Sequence, residues 1–217
     1  LVSTRDDSIG KKVFLKGNYE DGMLARVVAE LERERPGIRR GIFLDVGANI
    51  GTVCLTGARQ LGFRRVIAFE PEPFNFKLLR MNTILNDAED VVETVNAAVS
   101  DRAGELQLAL SLTNPGDHRV HVKTCSDNRF DEDQWKQVAV PAYTLDGFLA
   151  DRKIPAEEIG FILLDTQGHE GQVLSGMPRL LKQGIPLCLE VWPYGLERAG
   201  GKQKLIDCLT GAYTHFA

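Results

Sequence analysis

The sequence has few cysteines, and their spacing forms no motif. Cys54, Cys125, Cys188 and Cys208 lie far apart, and no two are arranged as Cys-x-x-Cys. Three of the four fall within apolar strand or helix patterns. We interpret them as small buried hydrophobic residues, which argues against a disulfide framework or a zinc site. The expected location is therefore the reducing cytoplasm.

The sequence also lacks an excess of positive charge and a long apolar run. Its 217 residues include 26 Lys and Arg and 30 Asp and Glu, which gives a net charge of −4. Nucleic-acid binding needs a basic face and a membrane span needs ~20 apolar residues, so neither partner is expected. No signal peptide opens the chain, and its start at Leu1 rather than Met leaves open an additional N-terminal piece.

Short apolar runs alternate with amphipathic segments along most of the chain. The predicted strands are 42–46, 65–70, 91–99, 161–165 and 186–192, with 213–216 a candidate start of a sixth, and the predicted helices are 19–34, 50–61, 73–86, 144–149, 171–182 and 203–209. This alternation predicts an α/β fold with a doubly wound, mostly parallel sheet covered on both faces. Residues 100–143 differ, because short alternating runs surround a polar stretch, and they predict an antiparallel insertion after strand three.

The turn after the first strand carries the strongest functional signal. Asp45–Gly51 reads Asp-Val-Gly-Ala-Asn-Ile-Gly and joins a predicted strand to a predicted helix. Glycine allows the backbone to approach a ligand closely and to take a positive φ. Glu70 ends the neighbouring strand, where a carboxylate can accept both hydroxyls of a ribose. The pair predicts a site for an adenosine-containing cofactor rather than an ordinary strand-turn-helix.

The same turn departs from the dinucleotide fingerprint Gly-x-Gly-x-x-Gly, in which backbone amides meet a pyrophosphate. Asp45 precedes the first glycine, and the third glycine is absent from its place. An aspartate repels phosphate and suits a cationic ligand. S-adenosylmethionine has a sulfonium, an α-amino group and no phosphate, so it fits this turn better than NAD does. An NAD-type oxidoreductase is the alternative.

Five motifs together resemble those of FkbM-type methyltransferases, which are class I enzymes dependent on S-adenosylmethionine. They are Asp45–Gly51, Phe69-Glu-Pro71, Asn96-Ala-Ala-Val-Ser-Asp101, Thr144-Leu-Asp146 and Asp165-Thr-Gln-Gly-His-Glu170, and the resemblance covers roughly residues 17–192. It implies a seven-stranded sheet and O-methylation of small molecules such as sugars or polyketide-like natural products, with S-adenosylhomocysteine as the product. One domain is expected, with an N-terminal helical entry (1–40), a cofactor-binding half (41–99), the insertion (100–143) and a catalytic and acceptor half (144–217) whose terminal hairpin is incomplete.

The resemblance also implies the cofactor-binding residues. They are Glu20, Asp45, Gly47, Asn49, Gly51, Glu70 and Ala98. The loop residues from Asp45 to Gly51 would line the methionine part, Glu70 would hold the ribose, and Ala98 would face the adenine. Glu20 would approach the amino-acid end. The family usually places Glu where Gln167 stands, and losing that carboxylate weakens a metal or general-base role at this position.

Methyl transfer is an in-line displacement, so the protein must align the acceptor and remove its hydroxyl proton. The candidate catalytic residues are Asp165, His169 and Glu190. Asp165 ends strand four, and its alternative role is a helix N-cap. His169 is a candidate base because an imidazole ordinarily titrates near neutral pH, and its alternative is a surface histidine. Glu190 lies in an apolar strand, where burying an unpaired carboxylate is expensive. Glu170 is interpreted as a first-turn acid favoured by the helix dipole.

Other interpretations of these residues are less favoured. The three candidate catalytic side chains could surround a divalent cation, but Gln167 and the absence of a further acid beside Glu190 argue against a metal site. Trp192 and Tyr194 either grip a ring-shaped or sugar acceptor or pack at the sheet edge. A base methyltransferase is not expected, because the turn after strand four has no proline and no stacking aromatic. A cofactor-binding but inactive module is a further alternative, and the oligomeric state is open.

Overall fold

Strands and helices alternate through the part of the chain that the computed structural model describes, which is residues 1–3, 6, 8–16, 22–112, 114–122 and 129–216. The strands are β1 (Ile42–Val46), β2 (Val66–Phe69), β3 (Val92–Val95), β4 (Ala98–Val99), β5 (Gly104–Leu110), β6 (Arg119–Val120), β7 (Lys136–Tyr143), β8 (Ile159–Leu164) and β9 (Leu187–Leu189). The helices are α1 (Ile9–Lys16), α2 (Met23–Glu34), α3 (Thr52–Arg59), α4 (Pro73–Leu85), α5 (Leu145–Asp151), α6 (Glu170–Ser175), α7 (Pro178–Lys182), α8 (Pro193–Arg198) and α9 (Lys202–Ala212). None of these helices has the length and apolar content that crossing a membrane requires.

Five parallel strands form the main sheet, in the order β3-β2-β1-β8-β9. The central strand β1 is buried along its whole length, and its Leu44 pairs with Ile67 on one side and with Ile162 on the other. A strand buried on both faces must be apolar at successive positions, which is why this run lacks alternation. The topology confirms the predicted doubly wound, mostly parallel α/β fold.

The two faces of the sheet carry separate cores. Ile42, Leu44 and Val46 point to one face, where α5, α6, α7 and α9 supply apolar side chains. Phe43 lies between them in sequence and points to the other face, where it contacts side chains of α2, α3 and α4. Side chains of a strand alternate between faces, so this single strand supports both layers. The carboxyl ends of the strands are thereby fixed along one edge.

A second, mixed sheet contains the insertion. Its order is β4-β7-β5-β6, with β5 antiparallel to both β7 and β6, as the alternating runs predict. The prediction of one strand over residues 91–99 is wrong, because β3 belongs to the main sheet and β4 pairs with β7 in the second sheet. Asn96 separates them: its side-chain amide donates to the carbonyls of Glu70 and Pro71, at 2.9 and 3.1 Å. This contact turns the chain away from β2.

Two further predicted elements differ in the structure. The helix predicted over 171–182 is divided into α6 and α7, because Pro178 has no amide hydrogen and starts a new helix. Residues 213–216 form no strand. Tyr213 caps α9 through its amide, and its hydroxyl donates to the carbonyl of Ile185 at 2.7 Å. This bond anchors the end of α9 beside β9.

Candidate active site

A cleft lies at the carboxyl ends of the parallel strands, the edge at which ligands bind in open α/β sheets. It encloses about 840 Å³, a volume that includes space open to solvent. Six of the residues predicted from sequence line it: Gly47, Asn49, Glu70, Ala98, Asp165 and His169. Asp45 and Gly51 lie outside its lining, and Glu190 is joined to it through Gln167. Glu20 falls outside the described residues.

The loop after β1 directs its amides into the protein. The amides of Gly47 and Ala48 both donate to the carbonyl of Phe69, at 3.0 and 2.9 Å. The amide of Asn49 donates to Glu70 Oε2 at 2.9 Å, and the amide of Gly51 donates to the carbonyl of Ala48 at 2.8 Å. A diphosphate site needs such amides aimed at the ligand. These four are already used within the fold.

Gly47 is required by contact between strand ends as well as by its conformation. Its φ is +96°, and a Cβ built on it would lie 1.8 Å from the carbonyl oxygen of Asp165. That oxygen follows β8, so the turns after β1 and β8 touch through their backbones. Gly51 has a φ of +95°, and its Cβ would meet a methyl group of Leu79 at 2.8 Å. The absence of a Cβ at both glycines therefore allows the loop to pack closely against the turn after β8 and against α4.

Glu70 forms the floor of the cleft at the end of β2. Its Oε2 accepts the amide of Asn49 and its Oε1 accepts the amide of Glu72, at 2.9 and 2.8 Å. Burial raises the pKa of Glu70 to about 8, and these two amides oppose that rise. Each carboxylate oxygen has two acceptor positions. Glu70 therefore keeps capacity for two more donors from a ligand.

Asp45 lies beneath the loop, near the end of β1, and is 1% exposed. It pairs in register with Ala68 on one side and Leu163 on the other. Its charge adds to burial in raising the pKa of Glu70 and also that of the Cys54 thiol. Asp45 therefore acts on the cleft through its negative potential rather than from within the lining.

The insertion and α1 cover the other side of the cleft. Pro115, Gly116, His118, Val120 and Ile9 line it from above. The side-chain amide of Asn75, on α4, donates to the carbonyl of Pro115 at 2.8 Å and holds this cover in place. Sequence reasoning assigns acceptor specificity to residues 112–136, which include the four insertion residues, but it names none of these side chains and does not include Ile9 or Asn75. Their only signal was the run of turn-forming residues, which does not indicate what a loop packs against.

Asp165, Gln167 and Glu190 form a carboxyl–amide–carboxyl group at one end of the cleft. Gln167 Nε2 donates to Asp165 Oδ1 at 2.7 Å and to Glu190 Oε2 at 2.9 Å. The expected burial of Glu190 inside an apolar strand is wrong, because β9 ends at Leu189 and Glu190 is exposed. Partial desolvation and the Asp165 charge raise the pKa of Glu190 to about 8. Asp165 does not cap α6, where His169 occupies the N-cap position.

His169 is buried, with 7% exposure, so its interpretation as a surface histidine is wrong. Its Nε2 lies 2.9 Å from the hydroxyl of Ser100, which is also within 3.3 Å of Asp101 Oδ1. Burial lowers the pKa of His169 to about 4, and the nearby Asp101 carboxylate opposes that change. The imidazole is therefore neutral at physiological pH. The Ser100 contact was not foreseen from sequence.

Glu170 holds the loop between β8 and α6 together. It is fully buried, and its Oε1 accepts the amide and the hydroxyl of Thr166, both at 2.9 Å, and the amide of Gly168 at 3.2 Å. Burial raises the pKa of Glu170, and these donors oppose the rise. Its position in the first turn of α6 agrees with the predicted first-turn acid, but its contacts are with the loop. Because they hold Thr166 and Gly168, these contacts fix the backbone of Gln167, which lies between them.

Trp192 and Tyr194 pack against the insertion, as the edge-packing interpretation expects. Their ring centroids lie 6.1 and 5.4 Å from that of Phe130. The buried guanidinium of Arg119 lies 4.4 Å from the ring centroid of Trp192 and forms an ion pair with Glu132. Cation–π contacts strengthen when they are desolvated. This cluster fastens the insertion to the segment that follows β9.

Among the described residues, no three His, Cys, Asp or Glu side chains are arranged to hold a metal ion. His169 directs its Nε2 to Ser100, whereas Asp165 and Glu190 face Gln167. The three candidate catalytic side chains therefore do not converge on one point.

The fold and the cleft define a doubly wound α/β domain with a cleft at the carboxyl edge of its sheet. Residues 45–193 match the family model described as the Methyltransferase FkbM domain, so this chain belongs to the FkbM methyltransferase family. Its fold is similar to that of the methyltransferase FkbM from Methylobacillus flagellatus KT, with a TM-score of 0.50 and 19% identity, over 80% of this chain and 38% of that one.

Two curated relatives are methyltransferases. Methyltransferase sdnD from Sordaria araneosa is 29% identical over 153 residues, which is 62% of this chain and 59% of sdnD. The hexuronic acid methyltransferase AglP from Haloferax volcanii is 26% identical over 145 residues, 65% of this chain and 52% of AglP. The chain thus matches somewhat more than half the length of each relative.

Proposed function

We propose that this chain binds S-adenosylmethionine and transfers its methyl group to a hydroxyl of a small molecule. The observation that carries the proposal is how the loop after β1 uses its amides. Asn49 donates its amide to Glu70 rather than to the cleft, and Gly47 donates to the carbonyl of Phe69. The loop offers little to a diphosphate, while Glu70 keeps acceptor capacity for the hydroxyls of a ribose. An NAD-type cofactor fits this arrangement less well.

The order of the strands gives the order of the contacts. Glu70 follows β2, the Gly47 loop follows β1, and Asp165 follows β8. Because these three strands are neighbours in the sheet, each group lies about one strand spacing, ~4.8 Å, from the next. We assign the ribose to Glu70, the methionine part to the loop from Gly47 to Asn49, and the adenine to the surface beside Ala98. Asp45, buried below the loop, favours a cation above it. The acceptor then lies toward Asp165 and Glu190.

When bound, the cofactor would supply an electrophilic methyl group to an acceptor oxygen, with S-adenosylhomocysteine as the second product. Asp165 and Glu190 take up the proton that the acceptor hydroxyl loses. His169, neutral and held by Ser100, forms the cleft wall beside them. The insertion residues from Pro115 to Val120 cover the cleft and exclude water. The hexuronic acid named for the relative AglP supports a sugar-like acceptor.

Calorimetry with S-adenosylhomocysteine and with NAD⁺ tests the cofactor. We expect the first to bind at micromolar concentration and the second to show no heat at millimolar concentration. Binding of NAD⁺ alone, to protein that circular dichroism shows to be folded, would favour an oxidoreductase and exclude our assignment.

Product formation tests activity separately. With labelled S-adenosylmethionine, we expect one methylated product from a panel of hexuronates, glycosides and polyketide-like phenols. Tight binding of S-adenosylhomocysteine without a product from any acceptor would instead support the inactive, cofactor-binding module.

A further inference from the structure

Gln167 occupies an unusual place between two carboxyl groups from neighbouring strand ends. Its Nε2 lies 2.7 Å from Asp165 Oδ1 and 2.9 Å from Glu190 Oε2. The residue has a φ of +53°, in the left-handed region that few residues other than glycine and asparagine adopt. Glu170 fixes the loop on both sides of it, through Thr166 and Gly168. The amide is therefore held in place by the backbone.

The chemistry of the contact sets the orientation of the amide. The NH₂ group carries two hydrogens, one for each carboxyl oxygen that it contacts, whereas an amide oxygen in its place would repel an ionised carboxylate. A donor that bridges two carboxyl groups holds them close together, as a divalent cation does in other acidic sites, but it adds no positive charge. Here the bridge is a side chain of the protein.

We propose that Gln167 is a positioning residue: it holds Asp165 and Glu190 together as a metal-free pair that receives the proton of the acceptor hydroxyl. The inference rests on the proposed function, because it concerns the acceptor end of the same cleft. Asp165 and Glu190 each keep further acceptor positions beyond the bond from Gln167. An acceptor hydroxyl can donate to one of them while the amide keeps both carboxyls fixed.

The electrostatics of the pair agree with this role. Partial burial contributes most to the raised pKa of Glu190. The charge of Asp165 and a hydrogen bond between the two carboxyl groups come next, followed by the charges of Glu170 and Asp117. With that pKa at about 8, Glu190 is mostly protonated at neutral pH and gains proton-accepting capacity as the pH rises. We expect kcat to increase with pH up to about 8.

Two substitutions test the proposal, each measured against a surface control. Gln167→Leu removes the bridge, and Gln167→Glu replaces it with a third carboxylate. Gln60→Glu adds the same charge at an exposed position at the end of α3. In Gln167→Leu we expect kcat to fall ~10²-fold, the scale of a displaced general base, with S-adenosylhomocysteine affinity within about twofold of wild type. The pKa of Glu190, followed by carboxyl-carbon NMR, should also change.

Mn²⁺ binding, followed by electron paramagnetic resonance after chelation, gives a readout that needs no methyl transfer. We expect Gln167→Glu to bind Mn²⁺ at about millimolar concentration or below, since three carboxylates then face one point. Wild type and Gln60→Glu should bind none, and chelators should leave wild-type activity unchanged. Mn²⁺ binding by wild type, or an unchanged kcat and Glu190 pKa in Gln167→Leu, would overturn the proposal. If the proposed function itself were wrong, the result would be different: the wild-type protein would not bind S-adenosylhomocysteine.

Discussion

Replacing Gly47 with alanine should lower the free energy of unfolding by about 2–5 kcal/mol and weaken cofactor binding. An L-residue forced into a left-handed conformation costs ~1–2 kcal/mol, and overpacking a close contact costs ~1–3 kcal/mol. Both apply here, because Gly47 has a φ of +96° and the added Cβ would lie 1.8 Å from the carbonyl oxygen of Asp165. Urea unfolding followed by circular dichroism measures the loss. Moving Asp165 also disturbs the acceptor end of the cleft.

Gly62→Ala is the matched control for the steric part of this prediction. Gly62 also has a positive φ, +77°, but a Cβ on it would meet nothing within 4 Å. The free energy of unfolding of Gly62→Ala should therefore fall only by the cost of the left-handed backbone conformation, ~1–2 kcal/mol. If both variants lost the same stability, the contact between the turns after β1 and β8 would not be what requires a glycine at position 47.

The main sheet could be predicted because its signals are local. Residues 42–46 and 159–164 are apolar at almost every position, which marks strands buried on both faces. The turn at Asp45–Gly51 and the acid at Glu70 directly follow or end such strands. Parallel strands bring their carboxyl ends to one edge, so the grouping of these residues follows from the element order alone.

For the second sheet, the sequence predicted antiparallel strands in the insertion but not which strands pair. Its pairing joins Ala98 to Ala142, more than forty residues apart. Nothing in the run 91–99 shows that the chain changes sheets at Asn96, because the cause is a side-chain contact with the turn after β2. The residues that cover the cleft share this difficulty. Their role depends on Asn75 in α4 and Ile9 in α1, which are distant in sequence.

The environments of the candidate catalytic residues were the least predictable part. His169 is buried because the elements around it pack closely: a Cβ on Gly171 would lie 2.1 Å from the carbonyl oxygen of Gly201, at the start of α9. Glu190 is exposed because β9 is only three residues long. In the sequence, Gln167 was interpreted only as the absence of the glutamate that the family usually has at this position. In the structure, its amide donates to both Asp165 and Glu190. Each outcome depends on tertiary neighbours.

Replacing Glu70 with glutamine should weaken S-adenosylhomocysteine binding about 100-fold. The substitution keeps the shape of the side chain but loses at least one hydrogen bond to a charged acceptor, worth ~1.5–3 kcal/mol, and ~1.4 kcal/mol corresponds to tenfold in affinity. The amides of Asn49 and Glu72 already use one position on each Glu70 oxygen. A glutamine NH₂ would face one of these donors, which further disturbs the floor of the cleft. Calorimetry measures the change.

The pH dependence of the same variant supplies a second, sharper test. The pKa of Glu70 is raised to about 8 without ligand, and ribose hydroxyls that donate to the carboxylate favour its ionised form, so they lower that pKa. Below pH 8 a proton must therefore leave on binding. Affinity should rise about tenfold per pH unit from 6 toward 8 and then level off, by linkage. In Glu70→Gln this slope should disappear.

Glu72→Gln is the control for both measurements. Glu72 is also a buried acid, but its side chain accepts the amide of Asn75 and caps α4, away from the cleft lining. Its backbone amide, the one that Glu70 accepts, is unchanged by the substitution. We expect a modest loss of stability, ~0.5–2 kcal/mol for an impaired cap. The affinity and the pH slope should persist, but the slope should level off at a lower pH, because the charge of Glu72 contributes to the raised pKa of Glu70. If Glu70→Gln bound S-adenosylhomocysteine as tightly as Glu72→Gln and kept the same pH slope, the ribose would not bind at Glu70. The proposed direction of the cofactor along the sheet edge would then also be wrong.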